Sequence, residues 1–301
     1  MTINELNTRF GAPGRIVFKE GHAGYPNVVI ANQYGSAEIA LMGANVVSYK
    51  PTGHSEVIFR PAKRDYNRGE SFHGGIPVCW PQFGNRFTKD LPQHGFARVL
   101  PFQVKGTEYS EDMTEVTLVL RSDDETKKLW PHDFELEMKV SVSMKLNLTL
   151  TTTNTGSEPF EFSCGFHPYF LLRNRDDAVV RGLDGAVFQD VSVAEPDEPS
   201  VWTGDLCVTS ALDHVFTMPD EPRHEYAILD HALRRAIAMV SSGNDMTVVW
   251  NCGTEEKLKD FEPDDWKKYV CVEPVSDWPG GRVLEPGEAH ALTAAVQATL
   301  E

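Results

Sequence analysis

The chain has 301 residues, enough for one large domain or two modest ones, with 41% hydrophobic and 24% charged residues. A net charge of -16 argues against nonspecific binding to nucleic acid or to an anionic membrane surface. No apolar run reaches bilayer length, and Met1–Glu5 lacks a basic-then-apolar leader, so a cytoplasmic protein without a membrane span is expected.

The stretch to about residue 12 is polar and is expected to be loose. From Arg15 short β-rich runs follow, at Arg15–Lys19, Asn27–Ala31, Glu38–Met42 and Asn45–Tyr49, with Gly, Asn or Pro between them. Residues 60–98 show little periodicity and are rich in Gly, Pro, Arg and Phe, which reads as a long ordered loop of functional kind. Strand signals resume at Phe102–Gly106 and Glu115–Arg121, and Asp123–Trp130 suits one short helix. Phe134–Val142 and Lys145–Thr153 alternate clearly and predict a hairpin turning at Met144-Lys145. Further strands are expected near Phe160–Ser163, Ala186–Gln189, Ala227–Leu229, Ala236–Val240, Met246–Trp250, Tyr269–Val272 and His290–Leu300. Many short strands with turns between them, no long helical period and no βαβ rhythm predict an all-β antiparallel sandwich. No linker or internal repeat divides the chain, so 1–301 reads as a single domain.

Cys79, Cys164, Cys207, Cys252 and Cys271 are odd in number, widely spaced and form no CxxC. Buried free thiols are therefore expected, in place of a disulfide framework or a cysteine-based zinc site. No GxGxxG, P-loop or HExxH occurs, and no close histidine pair suggests a metal.

Three stretches could carry chemistry. The loop 60–98 holds Arg60, Lys63, Arg64, Arg68, Arg86, Lys89 and Arg98 against Asp65, Glu70 and Asp90, a positive segment in an acidic chain. It reads either as a pocket for an anionic group or as a set of internal ion pairs. Its glycines, its aromatics, the amide of Gln82 and the histidines His73 and His94 also suit a sugar ring, which stacks on aromatics and needs paired donors and acceptors. In Gly165–Phe170 a histidine, His167, lies in an apolar aromatic run before Pro168; such a histidine is more often core than catalyst. Tyr269–Pro274 is a strand ending in Glu273, which suits either a general base presented at a sheet rim or a plain turn glutamate. Asp190, Asp213, His214, Asn251 and Asp260 could each bond a hydroxyl, with no specificity alone, and Asp260–Asp265 otherwise reads as a solvated loop.

Taken jointly, these stretches resemble one family. His73-Gly74-Gly75-Ile76-Pro77-Val78-Cys79-Trp80-Pro81-Gln82-Phe83-Gly84, Pro92–Arg98, His167–Phe170 and Val270–Glu273 stand in the order and spacing of the glucose-6-phosphate 1-epimerases, relatives of the aldose 1-epimerases. Thr126–Phe134, Asp213–Phe216 and Trp250-Asn251 look similar too, so the likeness runs from about residue 36 to 296. It implies a galactose mutarotase-like β-supersandwich with few short helices, no cofactor, and interconversion of the α and β anomers of a hexose 6-phosphate. By that likeness Glu273 is the base on the anomeric hydroxyl and His167 the acid on the ring oxygen, both with pKa values drawn towards neutrality. His94 matches a sugar-binding histidine, Arg98 an arginine of the phosphate pocket, and Asp190 an aspartate that binds sugar hydroxyls. Gln82 is a further substrate-binding candidate. The chain departs from the family at His73, where an arginine is usual, and at Pro168, where threonine or serine is common. Phosphate would then fall to Arg98 with Arg68 or Arg86, or the substrate is another sugar. The expected partner is a small-molecule sugar phosphate, bound by a monomer. The alternatives are an aldose 1-epimerase for unphosphorylated sugars and a carbohydrate-binding protein without catalysis. A glycosidase ranks lower, because only Glu273 offers itself where two carboxylates are needed.

Overall fold

The computed structural model describes residues 1–21, 24–61, 70, 73–85, 90–193, 197–254, 258–277 and 280–300. The N-terminus, expected to be loose, instead forms a helix over Ile3–Phe10. Its cap was written in the sequence: the Glu5 N–H donates to Thr2 Oγ1 and the Thr2 N–H donates to the Glu5 carboxylate, so two orphan donors are satisfied. Asn7 then exchanges two hydrogen bonds with the backbone of Phe18 and Leu6 is buried, which docks the helix on the first strand.

An antiparallel meander follows in the strands Ile16–Glu20, Pro26–Asn32, Gly35–Ala40 and Val46–Pro51. The third ends at Ala40, short of the expected Met42, because the chain turns at Gly43 and Ala44, both with positive φ. The hairpin of Phe134–Val142 and Leu146–Asn154 forms as its alternation predicts, with Leu146, Leu148 and Leu150 buried and Met144 exposed at the tip. Asp123 caps the short helix Asp124–Leu129 through the N–H groups of Glu125 and Thr126.

Two large antiparallel sheets make the sandwich. One runs in spatial order Leu206–Cys207, Ala178–Arg181, His224–Asp230, Arg235–Ser242, Ala289–Leu300, Leu146–Asn154, Phe134–Val142, Thr114–Arg121 and Gln103–Tyr109. The other runs Ser200–Val201, Val187–Asp190, Leu212–Thr217, Met246–Asn251, Tyr269–Ser276, Cys164–Phe166 and Val78–Cys79, with Tyr169–Leu171 also paired to Tyr269–Ser276. A continuous apolar core joins them, including Leu148, Ile237 and Val296 from the first and Phe166, Phe216, Val249 and Val272 from the second. The strands at 164–166, 169–171, 178–181 and 212–217 were not expected. They are short, and the first two are buried on both faces, which erases alternation.

The all-β expectation holds. The second sheet is covered on its outer face by the connections around residues 73–85, 90–98 and 258–268, so its central strand Tyr269–Ser276 is buried along its whole length. All five cysteines are free; four are buried, and Cys207 is exposed, against the expectation of buried thiols throughout. No helix among the described residues is long and apolar enough to cross a membrane.

Candidate active site

Strand parity assembles the site. Along Tyr269–Ser276, Val270 and Val272 enter the main core, while Tyr269, Cys271, Glu273 and Val275 face the opposite side. On that side Tyr269 and Cys271 belong to one aromatic-rich cluster with Phe59, Tyr169 and Phe261. Val275 belongs to another with Cys79, Phe83, Val215 and Val248. Glu273 is the polar residue left between the two. It therefore lies mid-strand, not at the sheet rim that Pro274 suggested; the strand continues through Pro274 to Ser276.

His167 arrives on the same face by the same rule. Gly165, His167 and Tyr169 point outward, while Phe166 and Phe170 enter the core. The extended break at His167-Pro168 separates the strands Cys164–Phe166 and Tyr169–Leu171 and lets both pair with Tyr269–Ser276. Gly165 has no Cβ because Phe83 occupies that space; a Cβ there would meet Phe83 Cδ2 at 2.7 Å. The His167 N–H donates to the carbonyl of Pro77, and its ring stacks on Tyr169 at 4.9 Å and meets Trp250 edge-on at 5.7 Å. His167 Nε2 stands 3.4 Å from Glu273 Oε1. Neither oxygen of Glu273 has a hydrogen-bond partner among the described residues, and His167 Nδ1 has none either.

Both groups line a cavity of about 280 Å³, at the small end of the range for ligand pockets. His73, His94, Arg98 and Asp213 line it too, with Phe83, Tyr169 and Trp250 as its aromatic wall. His94 has positive φ and is clamped twice: its N–H donates to the Gly84 carbonyl at 2.6 Å, and the Gly84 N–H donates to its Nδ1 at 3.2 Å. With Nδ1 accepting, the neutral ring carries its proton on Nε2 and is a donor there. Gly95 follows because a Cβ would lie 2.1 Å from the Trp80 carbonyl oxygen. Arg98 donates to the Gln93 carbonyl, which fixes its guanidinium at the same wall.

Electrostatics separate the pair. Burial pushes the Glu273 carboxyl well above the usual carboxylate range, and Asp213 adds to the effect. Burial pushes His167 down to about 3, helped by the neighbouring Arg98 and His73. The expectation of two groups drawn towards neutrality fails for His167, which is carried away from it. Burial, Arg98 and the other two histidines hold His94 well below its ordinary value as well, so it stays neutral.

Other expected residues take different places. Asp190 pairs with His214 in strand register, on the face opposite to Asp213 and Val215. Its carboxylate accepts from the N–H and hydroxyl of Ser192 and lies 3.6 Å from His214 Nε2, away from the cavity. Asp213, one of several unspecific residues in the sequence, is the aspartate on the cavity wall; only register could separate the two. Gln82 is fully buried and donates to the carbonyls of Leu91 and Pro92, so it braces the loop that carries His94. Asn251 is likewise internal, donating to the carbonyls of Trp266 and Tyr269 and accepting from Arg175 and Gly253. Asp260 and Asp265, expected on a solvated loop, are buried, and Asp260 binds His73. Arg68 and Arg86 lie outside the described residues. Among the described residues, His167, Cys271 and Glu273 gather metal-capable donors within 4.8 Å of one another. Burial holds the Cys271 thiol well above its ordinary range, so it keeps its proton and offers no thiolate.

The chain has relatives. The model of the aldose 1-epimerase family matches residues 26–297. Over 265 residues the chain is 31% identical to a protein of Escherichia coli (strain K12) named as a candidate glucose-6-phosphate 1-epimerase, covering 87% of each. The crystal structure of a candidate mutarotase from Salmonella typhimurium superposes with a TM-score of 0.87 at 26% identity, covering 99% of each chain. A galactose mutarotase related enzyme from Lactobacillus acidophilus shares the fold, with a TM-score of 0.73 at 19% identity over 91% of this chain and 97% of that one. The fold is the galactose mutarotase-like antiparallel β-sandwich, and the chain belongs to the aldose 1-epimerase family.

Proposed function

We propose that the protein interconverts the α and β anomers of a hexose 6-phosphate, with glucose 6-phosphate the foremost substrate. The observation that carries this reading is the buried His167–Glu273 pair, 3.4 Å apart on the cavity wall, with neither carboxylate oxygen hydrogen-bonded among the described residues. Glucose-6-phosphate 1-epimerase is the activity in the relatives' names and supports the choice of sugar.

The reaction needs one proton on the pair. Glu273 as carboxylate takes the proton of the anomeric hydroxyl while His167 as imidazolium gives one to the ring oxygen. The C1–O5 bond breaks, C1=O1 forms, and the aldehyde turns about C1–C2. Closure on the other face returns each proton to the group that supplied it. This charged state holds the same number of protons as a neutral imidazole beside a protonated carboxyl, which burial favours in the free cavity. A phosphate beside Arg98 would offset the positive charge that helps hold His167 down and so favour the charged state. His94 donates to the sugar through Nε2–H, Asp213 accepts from a hydroxyl, and Trp250 and Tyr169 face the ring. The chain acts as a single unit over 1–301, as a monomer in the cytoplasm, and recruits no cofactor.

Exchange NMR of glucose 6-phosphate tests this directly. Cross-peaks between the α and β anomeric protons are expected to build up far faster than in buffer. Acceleration of glucose or galactose but of no hexose phosphate would overturn the choice of substrate. Binding of sugars with no exchange at all would overturn the enzyme.

A further inference from the structure

His73 and Asp260 form a second histidine–carboxylate pair at the cavity wall, joined across 187 positions of sequence. Two bonds define it. The His73 N–H donates to Asp260 Oδ2 at 2.7 Å, and His73 Nδ1 lies 2.8 Å from Asp260 Oδ1. The clamp therefore holds both the backbone and the ring. The Asp260 side chain is 3% exposed and that of His73 is 31% exposed, so the carboxylate is sealed behind a ring that opens on the cavity. Facing a carboxylate, Nδ1 carries the proton, and Nε2 is the nitrogen left for the cavity.

The chemistry of that nitrogen depends on a second proton. Without it Nε2 presents a lone pair, which repels a phosphoryl oxygen. With it the ring is a cation that donates to the oxygen, and the buried carboxylate compensates its charge. Around the ring stand Asp260 and the edge of Phe261 from one loop, and Arg98 and His94 from another. His167, Asp213 and Glu273 face the same cavity from the sheet. The neighbouring Lys259 and Glu70 pair with each other at 2.7 Å. A guanidinium such as that of Arg98 supplies a constant attraction, and an imidazole such as that of His73 supplies the part that can vary.

We propose that the His73–Asp260 dyad is a proton-dependent clamp for the phosphoryl end of the substrate, with Asp260 the positioning residue. The inference rests on the hexose-phosphate reading above and adds its regulation: preference for the phosphorylated sugar falls as pH rises, because each anion bound at Nε2 takes up a proton.

The test uses the full chain and three sugars: glucose, glucose 6-phosphate and glucose 6-sulfate. The sulfate ester keeps one fixed charge, which removes the substrate's own ionisation near about pH 6. For the wild type, KM for the 6-sulfate is expected to rise with pH towards a limit of about tenfold per pH unit, with kcat steady and KM for glucose flat. His73→Arg is expected to keep a low KM for the ester and abolish the slope, because arginine does not release its proton. Asp260→Asn is expected to raise ester KM severalfold at acid pH, where the imidazolium loses its compensating charge. Calorimetric titration with inorganic sulfate in two buffers of different ionisation enthalpy should show proton uptake in the wild type and none in His73→Arg. A slope that survives in His73→Arg, or an equal slope for glucose, overturns the clamp and leaves the hexose-phosphate reading standing. Proton uptake with sulfate but no anomer exchange for any sugar overturns that reading and leaves the clamp.

Discussion

Two buried acid–base pairs touch the Tyr169–Leu171 strand, one at the ring of Tyr169 and one at the carbonyl of Leu171, and they are built to different rules. Asp230 and Arg235 close the hairpin of His224–Asp230 and Arg235–Ser242, with side chains 0% and 2% exposed. Asp230 accepts from the N–H groups of Arg173 and Leu233, and Arg235 donates to Ser55 Oγ and to the carbonyls of Glu56 and Leu171. The charges there are spread over a hydrogen-bond network that ties the first sheet to the strand carrying Tyr169 and leaves Arg235 Nε as the one atom of the pair without a partner among the described residues. His167 and Glu273 are almost as deep, yet Glu273 has no hydrogen bond among the described residues. A buried pair whose oxygens and terminal guanidinium nitrogens are bonded holds a structure together; a carboxyl with neither oxygen bonded, aimed into a cavity, costs stability and is kept for what it does there.

The sharpest way to break the comparison is to neutralise the unsatisfied member. Glu273→Gln keeps the shape and removes the base, so anomer exchange is expected to fall by about 10²–10⁴-fold, the usual weight of a positioned proton transfer. KM should change little, since the amide still fills the same place. Exchange NMR at saturating sugar reads both quantities, and a variant with wild-type kcat would move the base elsewhere in the cavity.

The bonded pair gives the next effect. Asp230→Ala leaves the Arg235 guanidinium without its counter-charge and two backbone N–H groups without their acceptor in a dry site, and about 3–5 kcal/mol of stability is expected to go, as when one member of a buried pair is removed. Urea denaturation measures it. A loss within about 0.5 kcal/mol, typical of a surface substitution, would mean that the network relaxes and that the contrast between the two pairs is not one of packing.

Legibility in the sequence followed the same division. Elements with one face in the core announced themselves: the hairpin of Phe134–Val142 and Leu146–Asn154 alternates, and so does Ala289–Leu300. Strands buried on both faces, such as Cys164–Phe166 and Tyr169–Leu171, carry no period to detect. At the site, His167, Glu273, His94 and Arg98 could be named from residue type and motif order, and the fold brings them to one cavity. Asp190 and Asp213 could not be sorted, because a register one residue apart decides which face each takes. The bond of His73 to Asp260 was illegible for another reason: it joins a glycine-rich stretch to an acidic loop 187 positions on, and nothing local in either asks for the other. The helix Ile3–Phe10 has a local signal in the sequence, since Thr2 and Glu5 stand at capping-box spacing, although its polar composition reads as loose chain.

The smallest effect sharpens the comparison in the opposite direction, because removing the carboxylate of Glu273 should stabilise the fold. Its carboxyl is held well above the usual range in the folded state by burial and by Asp213, whereas in the unfolded chain it ionises normally. Between the two values the folded protein binds more protons than the unfolded, so stability falls as pH rises through that window. His167 works with the reverse sign: depressed to about 3 when folded, it costs stability only as pH falls below the unfolded histidine range. At neutral and alkaline pH the burden is therefore on Glu273 alone. Glu273→Gln lifts it, and a gain of about 1–3 kcal/mol is expected, the scale of one unsatisfied buried polar group. The gain should grow from pH about 4.5 upwards, where the unfolded carboxyl ionises. Thermal melts of both proteins across that range give the difference in Tm. A constant difference would mean that the carboxyl ionises in the folded protein as freely as in the unfolded one, and the site would then be as well compensated as the pair of Asp230 and Arg235.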